Sequence, residues 1–174
     1  MKALVIFVGL LAFVLADDDV CSICSCSESV VNCRSRNLTQ LPEKWKSLAT
    51  VDLSLNRLYF MDKTFQEICL AGGPIRRLDL RGNVITGLEE ETSQGCGSLQ
   101  SLDLSHNKIG FLQSDAFRYL SSLRSLDLSN NQLTHVDTFW FGPLKSVIRL
   151  DLSENPIGTD RKNKPNKMLK KKTQ

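Results

Sequence analysis

Five segments of the chain share one template, apolar-x-x-apolar-x-Leu-x-x-Asn-x-apolar: "LATVDLSLNRL", "IRRLDLRGNVI", "LQSLDLSHNKI", "LRSLDLSNNQL" and "VIRLDLSENPI". The template asparagines are Asn56, Asn83, Asn107, Asn131 and Asn155, spaced by 27, 24, 24 and 24 residues. A fixed period of this length means stacked copies of one small unit, none of which can bury its apolar face alone. Val51/Leu53, Leu78/Leu80, Leu102/Leu104, Leu126/Leu128 and Leu150/Leu152 alternate with period two, which puts both apolar groups of a pair on one side of a short strand. Successive strands must then pair in parallel, one coil apart. The asparagine stands where the chain leaves the strand and turns inward, and its amide is suited to satisfy backbone groups that burial would orphan. These asparagines are therefore read as structural.

The template resembles that of leucine-rich repeat proteins, specifically the 24-residue type of extracellular receptors and matrix proteins. The third and fourth copies, "LQSLDLSHNKIGFLQSDAFRYLSS" and "LRSLDLSNNQLTHVDTFWFGPLKS", fit it from end to end, with Phe117 and Phe141 at the family's phenylalanine-spine position. The resemblance implies an α/β-type repeat solenoid: a curved arc with short parallel strands on the concave face and irregular or short helical convex segments. Two copies depart from it. The first is longer, and "AGG" before Pro74 predicts a convex bulge or loop. The second carries Ser93 where a spine phenylalanine belongs.

Ahead of the repeats, a basic start, the apolar run "ALVIFVGLLAFVL" and small residues Val14 and Ala16 read as a secretory signal over residues 1–16. No other apolar stretch approaches the ~20 residues of a membrane span. A secreted, extracellular chain folds where disulfides form. Residues 17–47 then make a cysteine-rich cap, 48–157 the solenoid, and 158–174 a basic tail.

Cys21, Cys24, Cys26 and Cys33 lie close enough to hold zinc, but an oxidising compartment favours disulfides, with three connectivities open. The segment resembles the N-terminal cysteine cap of extracellular leucine-rich repeat proteins, and this implies Cys21–Cys26 and Cys24–Cys33 pairing. The cap's physical purpose is to cover the first coil, which has no neighbour. Cys69 and Cys96 each follow a template asparagine by thirteen residues, where Leu120 and Leu144 stand in later copies. Equivalent positions on adjacent coils lie close enough for a bond, the alternative being two buried thiols, and the compartment favours the bond. The C-terminal cysteine cap usual in the family is not seen after "LDLSENPI". Leu150, Leu152 and Ile157 are thus expected to form an uncovered apolar edge, read as that of a shortened relative, as the seam of a homodimer, or as an edge guarded by the tail lysines.

Residues flanking the strand leucines should point outward. Asp52, Asp79, Asp103, Asp127 and Asp151 form one column; Ser54, Ser105, Ser129 and Ser153, interrupted by Arg81, form a second. Stacked aspartates without other oxygen ligands make a poor metal cage, and no metal or other cofactor is expected. Arg76, Arg77, Arg81, Arg124 and Arg149 are expected beside the acidic column, some pairing with it and some free for a partner's carboxylates. Leu55, His106, Asn130 and Glu154 share a further outward position that varies from copy to copy. The recognition set is accordingly Arg77, Arg81, His106, Arg124, Asn130 and Arg149. In "DTFWFGPL", Phe139 and Phe141 are expected to pack and Trp140 to reach the surface. Asn37-Leu38-Thr39 is the chain's glycosylation sequon.

No nucleophile elbow, phosphate loop or histidine pair appears, so no enzyme is expected. The leading function is a secreted binding protein that recognises an extracellular or cell-surface protein through its concave sheet, in adhesion, matrix, receptor-like or immune roles. Nucleic acid is not expected as a partner. The alternative comes from the charge: residues 17–157 hold 14 Lys+Arg and 18 Asp+Glu, net −4, while 158–174 hold seven basic residues and one acid, net +6. Lys162, Lys164, Lys167, Lys170, Lys171 and Lys172, with Arg161, would bind a heparan-type glycosaminoglycan or anionic lipid.

Overall fold

The computed structural model describes residues 20–42, 45, 48–59, 64–71 and 73–158. The signal segment, the polyanion lysines and Arg161 lie outside these residues. The elements run α1 (Val20–Ile23), β1 (Ser25–Cys26), β2 (Val30–Asn32), β3 (Thr50–Asp52), α2 (Thr64–Ala71), β4 (Arg77–Asp79), β5 (Gly87–Leu88), β6 (Ser101–Asp103), β7 (Phe111–Leu112), β8 (Ser125–Asp127), α3 (Thr138–Phe141) and β9 (Arg149–Asp151).

One seven-stranded sheet has the order β1-β2-β3-β4-β6-β8-β9. All of its pairs are parallel except β1–β2. Its register follows the sequence template: Val51, Leu78, Leu102, Leu126 and Leu150 are successive partners, and so are the five aspartates. The cap joins the sheet rather than merely covering it, since Val31 of β2 pairs with Val51 of β3. A second sheet of β5 and β7 links two coils away from the concave face. The result is a parallel β-solenoid in which each strand leads back into the core.

The asparagines close the inner side of each turn. Asn131 Nδ2 donates to the carbonyls of Leu104 and Leu128 at 2.9 and 3.1 Å, and its Oδ1 accepts from the Ile109 amide at 2.9 Å. Asn56, Asn83, Asn107 and Asn155 repeat this bridging between coils. Each stitches its own strand end to the preceding coil, so buried polar backbone is paired inside an apolar stack.

The convex side differs from the sequence expectation in one place. The longer first copy carries α2, the longest helix described, which ends at Ala71, the first residue of "AGG". Buried Ile68 and Cys69 anchor that helix, and Gly73, at φ 74°, begins the return to the sheet. Across "DTFWFGPL" the expected roles reverse: Trp140 is 4% exposed and Phe139 is 74% exposed. Asp137 sets this phase as the α3 N-cap, accepting from the Phe139 amide at 2.9 Å. Trp140 thereby turns inward, 5.2 Å from the His135 ring and edge-on to Phe141. Phe141 in turn stacks on Phe117 at 6.3 Å, continuing the spine. Ser93, at the same level in the second copy, is fully buried and accepts the Tyr119 amide at 3.4 Å.

Three disulfides hold the N-terminal half. Cys21–Cys26 and Cys24–Cys33 fasten the cap, with Cα separations of 5.5 and 4.6 Å. Cys69–Cys96 ties α2 to the next coil at 5.1 Å. At the other end Ile148 is 78% and Leu150 40% exposed, while Leu152 and Ile157 are half-buried.

Candidate binding surface: the concave face and its rim

The concave face is built from side chains at fixed steps around each strand. Before the central apolar residue stand Thr50, Arg77, Ser101, Ser125 and Arg149; after it stand the five aspartates. In register, each carboxylate faces the next across one inter-strand step of roughly 4.8 Å. Like charges so placed repel, and the chain offsets this locally. Asp52, Asp103, Asp127 and Asp151 each accept two bonds from the serine two residues on, through its amide and its hydroxyl. The serines form the expected outward column only in part: each hydroxyl folds back to its aspartate, Ser54 and Ser105 are buried, Ser129 is half-buried and Ser153 is exposed.

Asp79 is the exception. Arg81 replaces the serine, so Asp79 keeps only the backbone bond from the Arg81 amide at 2.9 Å. Burial pushes its carboxyl up, the Arg81 amide pulls it down, Asp103 and Asp52 raise it further, and Arg34 opposes them. Asp151, on the outermost described strand, is held down by the Ser153 hydroxyl and amide, against a small effect of burial, with Arg149 assisting.

Arg34 and Arg149 act electrostatically on Asp79 and Asp151, but no arginine comes within ion-pair distance of the acidic column among the described residues. Among the described residues the ion pair within reach is Arg118–Asp115 at 3.7 Å, on the convex side. Serine and backbone donors already occupy the aspartates, which leaves Arg76, Arg77, Arg124 and Arg149 exposed to solvent. Asp52, Asp79 and Asp103, with Thr50, Arg77 and Ser101 beside them, bound a shallow depression of about 290 Å³. That lies at the small end for a ligand pocket.

Leu55, Gly82, His106, Asn130 and Glu154 form the next position, and all have positive φ, from 54° to 67°. Sequence reasoning placed His106 and Asn130 here as recognition residues; their left-handed backbone was signalled by Gly82 alone. A Cβ at Gly82 would stand 2.6 Å from Leu55 Cδ2, so the exposed leucine side chain lies directly against this glycine. Arg81 Nη2 lies 3.5 Å from His106 Nε2, and Arg34 Nη1 donates to Ser54 Oγ at 3.0 Å. Arg34, from the cap, is a surface cation that the sequence reading passed over. Its register position opposite Ser54 becomes visible only once the Ser35 amide is seen bonded to the Ser54 carbonyl. Asn37 of the sequon is exposed, at φ 58°.

Among the described residues, no cluster of three or more His, Cys, Asp or Glu is arranged to hold a metal ion, and no helix is long and apolar enough to cross a membrane. The serine hydroxyls of the concave turns are directed to aspartates, not to histidine.

Comparison with known proteins agrees with this geometry. The leucine rich repeat family model matches residues 74–133 and 121–163, and the leucine rich repeat N-terminal domain model matches 21–43. Comparison with curated proteins returned no match. The structure of a TLR13–ssRNA13 complex superposes with a TM-score of 0.58 at 33% identity, covering 63% of this chain and 15% of that one. Human 5T4 (Wnt-activated inhibitory factor 1, trophoblast glycoprotein) superposes at 0.60 with 24% identity, covering 77% of this chain and 62% of that one. This chain therefore spans less than two thirds of either neighbour. With its repeats, asparagine ladder and disulfide-bonded cap, it belongs to the leucine-rich repeat family.

Proposed function

We propose that this chain is a secreted, non-enzymatic recognition protein that binds an extracellular or cell-surface protein through its concave sheet. The observation that carries this reading is the contrast between frame and surface. The leucines, asparagines and aspartates are the same in nearly every coil, whereas the position before the central apolar residue runs Thr50, Arg77, Ser101, Ser125, Arg149, half-buried where it is Thr or Ser and exposed where it is Arg. A rigid frame that varies only its outward groups suits a specific partner. Arg77 and Arg124, with no carboxylate in ion-pair reach among the described residues, offer forked donors to a partner's acids.

The test is to capture the partner from medium with the tag-free protein and measure its affinity for the Arg77→Ala/Arg124→Ala/Arg149→Ala variant. A loss of about tenfold or more, near 1.4 kcal/mol, is expected. Unchanged affinity in a correctly folded variant removes the concave face from consideration.

A further inference from the structure

The turns that follow the strands carry a charge gradient along one rim of the solenoid. Arg34 and Arg36 in the cap, Arg57 in the first coil, Arg81 in the second and His106 with Lys108 in the third are all exposed. The corresponding segments 34–36, 54–58, 81–85 and 105–109 contain no acid. Further along, the rim is neutral at Asn130 and acidic at Glu154. None of the six basic residues has an ion-pair partner among the described residues.

The side chains here lean from one coil toward the next. Arg34 reaches Ser54, Arg81 reaches His106, and between them Leu55 lies against Gly82, 45% exposed. The rim thus presents a cation, an apolar contact and a second cation in sequence, with Tyr59, 63% exposed, in the same turn as Leu55.

From these observations we infer that the rim binds an extended acidic peptide segment of the protein partner, with carboxylates on Arg34 and Arg81/His106 and an apolar side chain on Leu55. From the cap to the third coil is three inter-strand steps, roughly 14 Å, which an extended segment covers in about four to five residues. Arginine forks match carboxylate geometry; Arg34 already donates one nitrogen to Ser54, which directs it, and Arg81 lies 3.5 Å from the His106 ring. The exposed leucine and tyrosine favour a peptide over a sulfated polysaccharide, which has no apolar side chains to place there. This rests on the proposed protein-recognition role but uses different residues from the strand-face arginines.

The probe is a fluorescein-labelled Glu-Glu-Leu-Glu-Glu peptide titrated with full-length protein at low salt and read by anisotropy. Its Gln-Gln-Leu-Gln-Gln counterpart and a heparin oligosaccharide serve as comparisons. The wild type should bind the acidic peptide and not the neutral one. Arg34→Gln/Arg81→Gln should lose about tenfold or more in affinity, and Leu55→Asn, which tolerates the left-handed backbone, should lose several-fold for the peptide but not for heparin. Arg77→Ala/Arg124→Ala/Arg149→Ala should bind the peptide as wild type does. The assignment is overturned if the two peptides bind alike, if the chain takes heparin but not the peptide, or if the Arg34/Arg81 variant keeps wild-type affinity with an unchanged melting curve. Peptide binding lost in the strand-face variant alone would move the site to the sheet and leave the concave reading standing.

Discussion

At the residue scale, one substitution in the repeat has the clearest electrostatic consequence. Arg81 removes the serine hydroxyl that every other concave aspartate enjoys, so Asp79 sits half-buried between two like charges with a single amide donor. Its carboxyl is raised, chiefly by burial, so the folded state holds that proton more tightly than the unfolded chain. The associated stability is present below the ordinary carboxylate range and lost as pH rises through the raised value. Asp79→Asn keeps the acceptor for the Arg81 amide and removes the charge. The variant should therefore unfold at higher denaturant than wild type at neutral pH, with the difference vanishing in acid. A midpoint difference that instead grew on acidification would contradict this. Asp151 behaves oppositely: its contribution is present above the ordinary range and falls away as pH drops through its lowered value.

At the scale of elements, the strands and their register were legible because five copies repeat the same period-two pairs and asparagines. Repetition fixes which side faces inward even when one copy is ambiguous. The convex elements were not legible in this way. α3 takes its phase from a single cap at Asp137, and that one-residue choice exchanges the fates of Phe139 and Trp140. Equally, no residue type announces that Ser54 and Ser105 fold back to their aspartates, since a hydroxyl serves as well outward as inward. The equivalence of Cys69 and Cys96 was readable from spacing, but the helix that carries Cys69 was not. Their bond closes a separation of 27 residues and clamps the two least regular coils. Cys69→Ala/Cys96→Ala should lower stability by roughly 3.5 kcal/mol in the chain-entropy estimate. A denaturant midpoint equal to wild type would show that α2 is held by the packing of Ile68 and its neighbours alone.

At the scale of the molecule, the solenoid is asymmetric in how it is held. Disulfides concentrate in the cap and first coils, while β9 is paired on one side only among the described residues and leaves Ile148 and Leu150 exposed. In a stack whose units contact only neighbours, such a difference makes the N-terminal coils the stable platform. The cationic rim lies on that platform, beside the depression floored by Asp52, Asp79 and Asp103. The proposed recognition surface and the covalent reinforcement coincide, so a partner bound there would meet side chains whose positions are already fixed. Sequence spacing located the strands and their register; charge on the rim emerged only when the turns of the cap and first three coils were aligned in space.

The most direct test of recognition through the concave face is carboxyl footprinting of the partner-bound protein, with labelling of each acid followed by mass spectrometry. Binding should protect Asp52, Asp79, Asp103 and Asp127 while convex Glu67, Glu90 and Glu91 label as in the free chain. Protection of the convex glutamates with the aspartate column unchanged would place the partner on the opposite side and contradict the assignment.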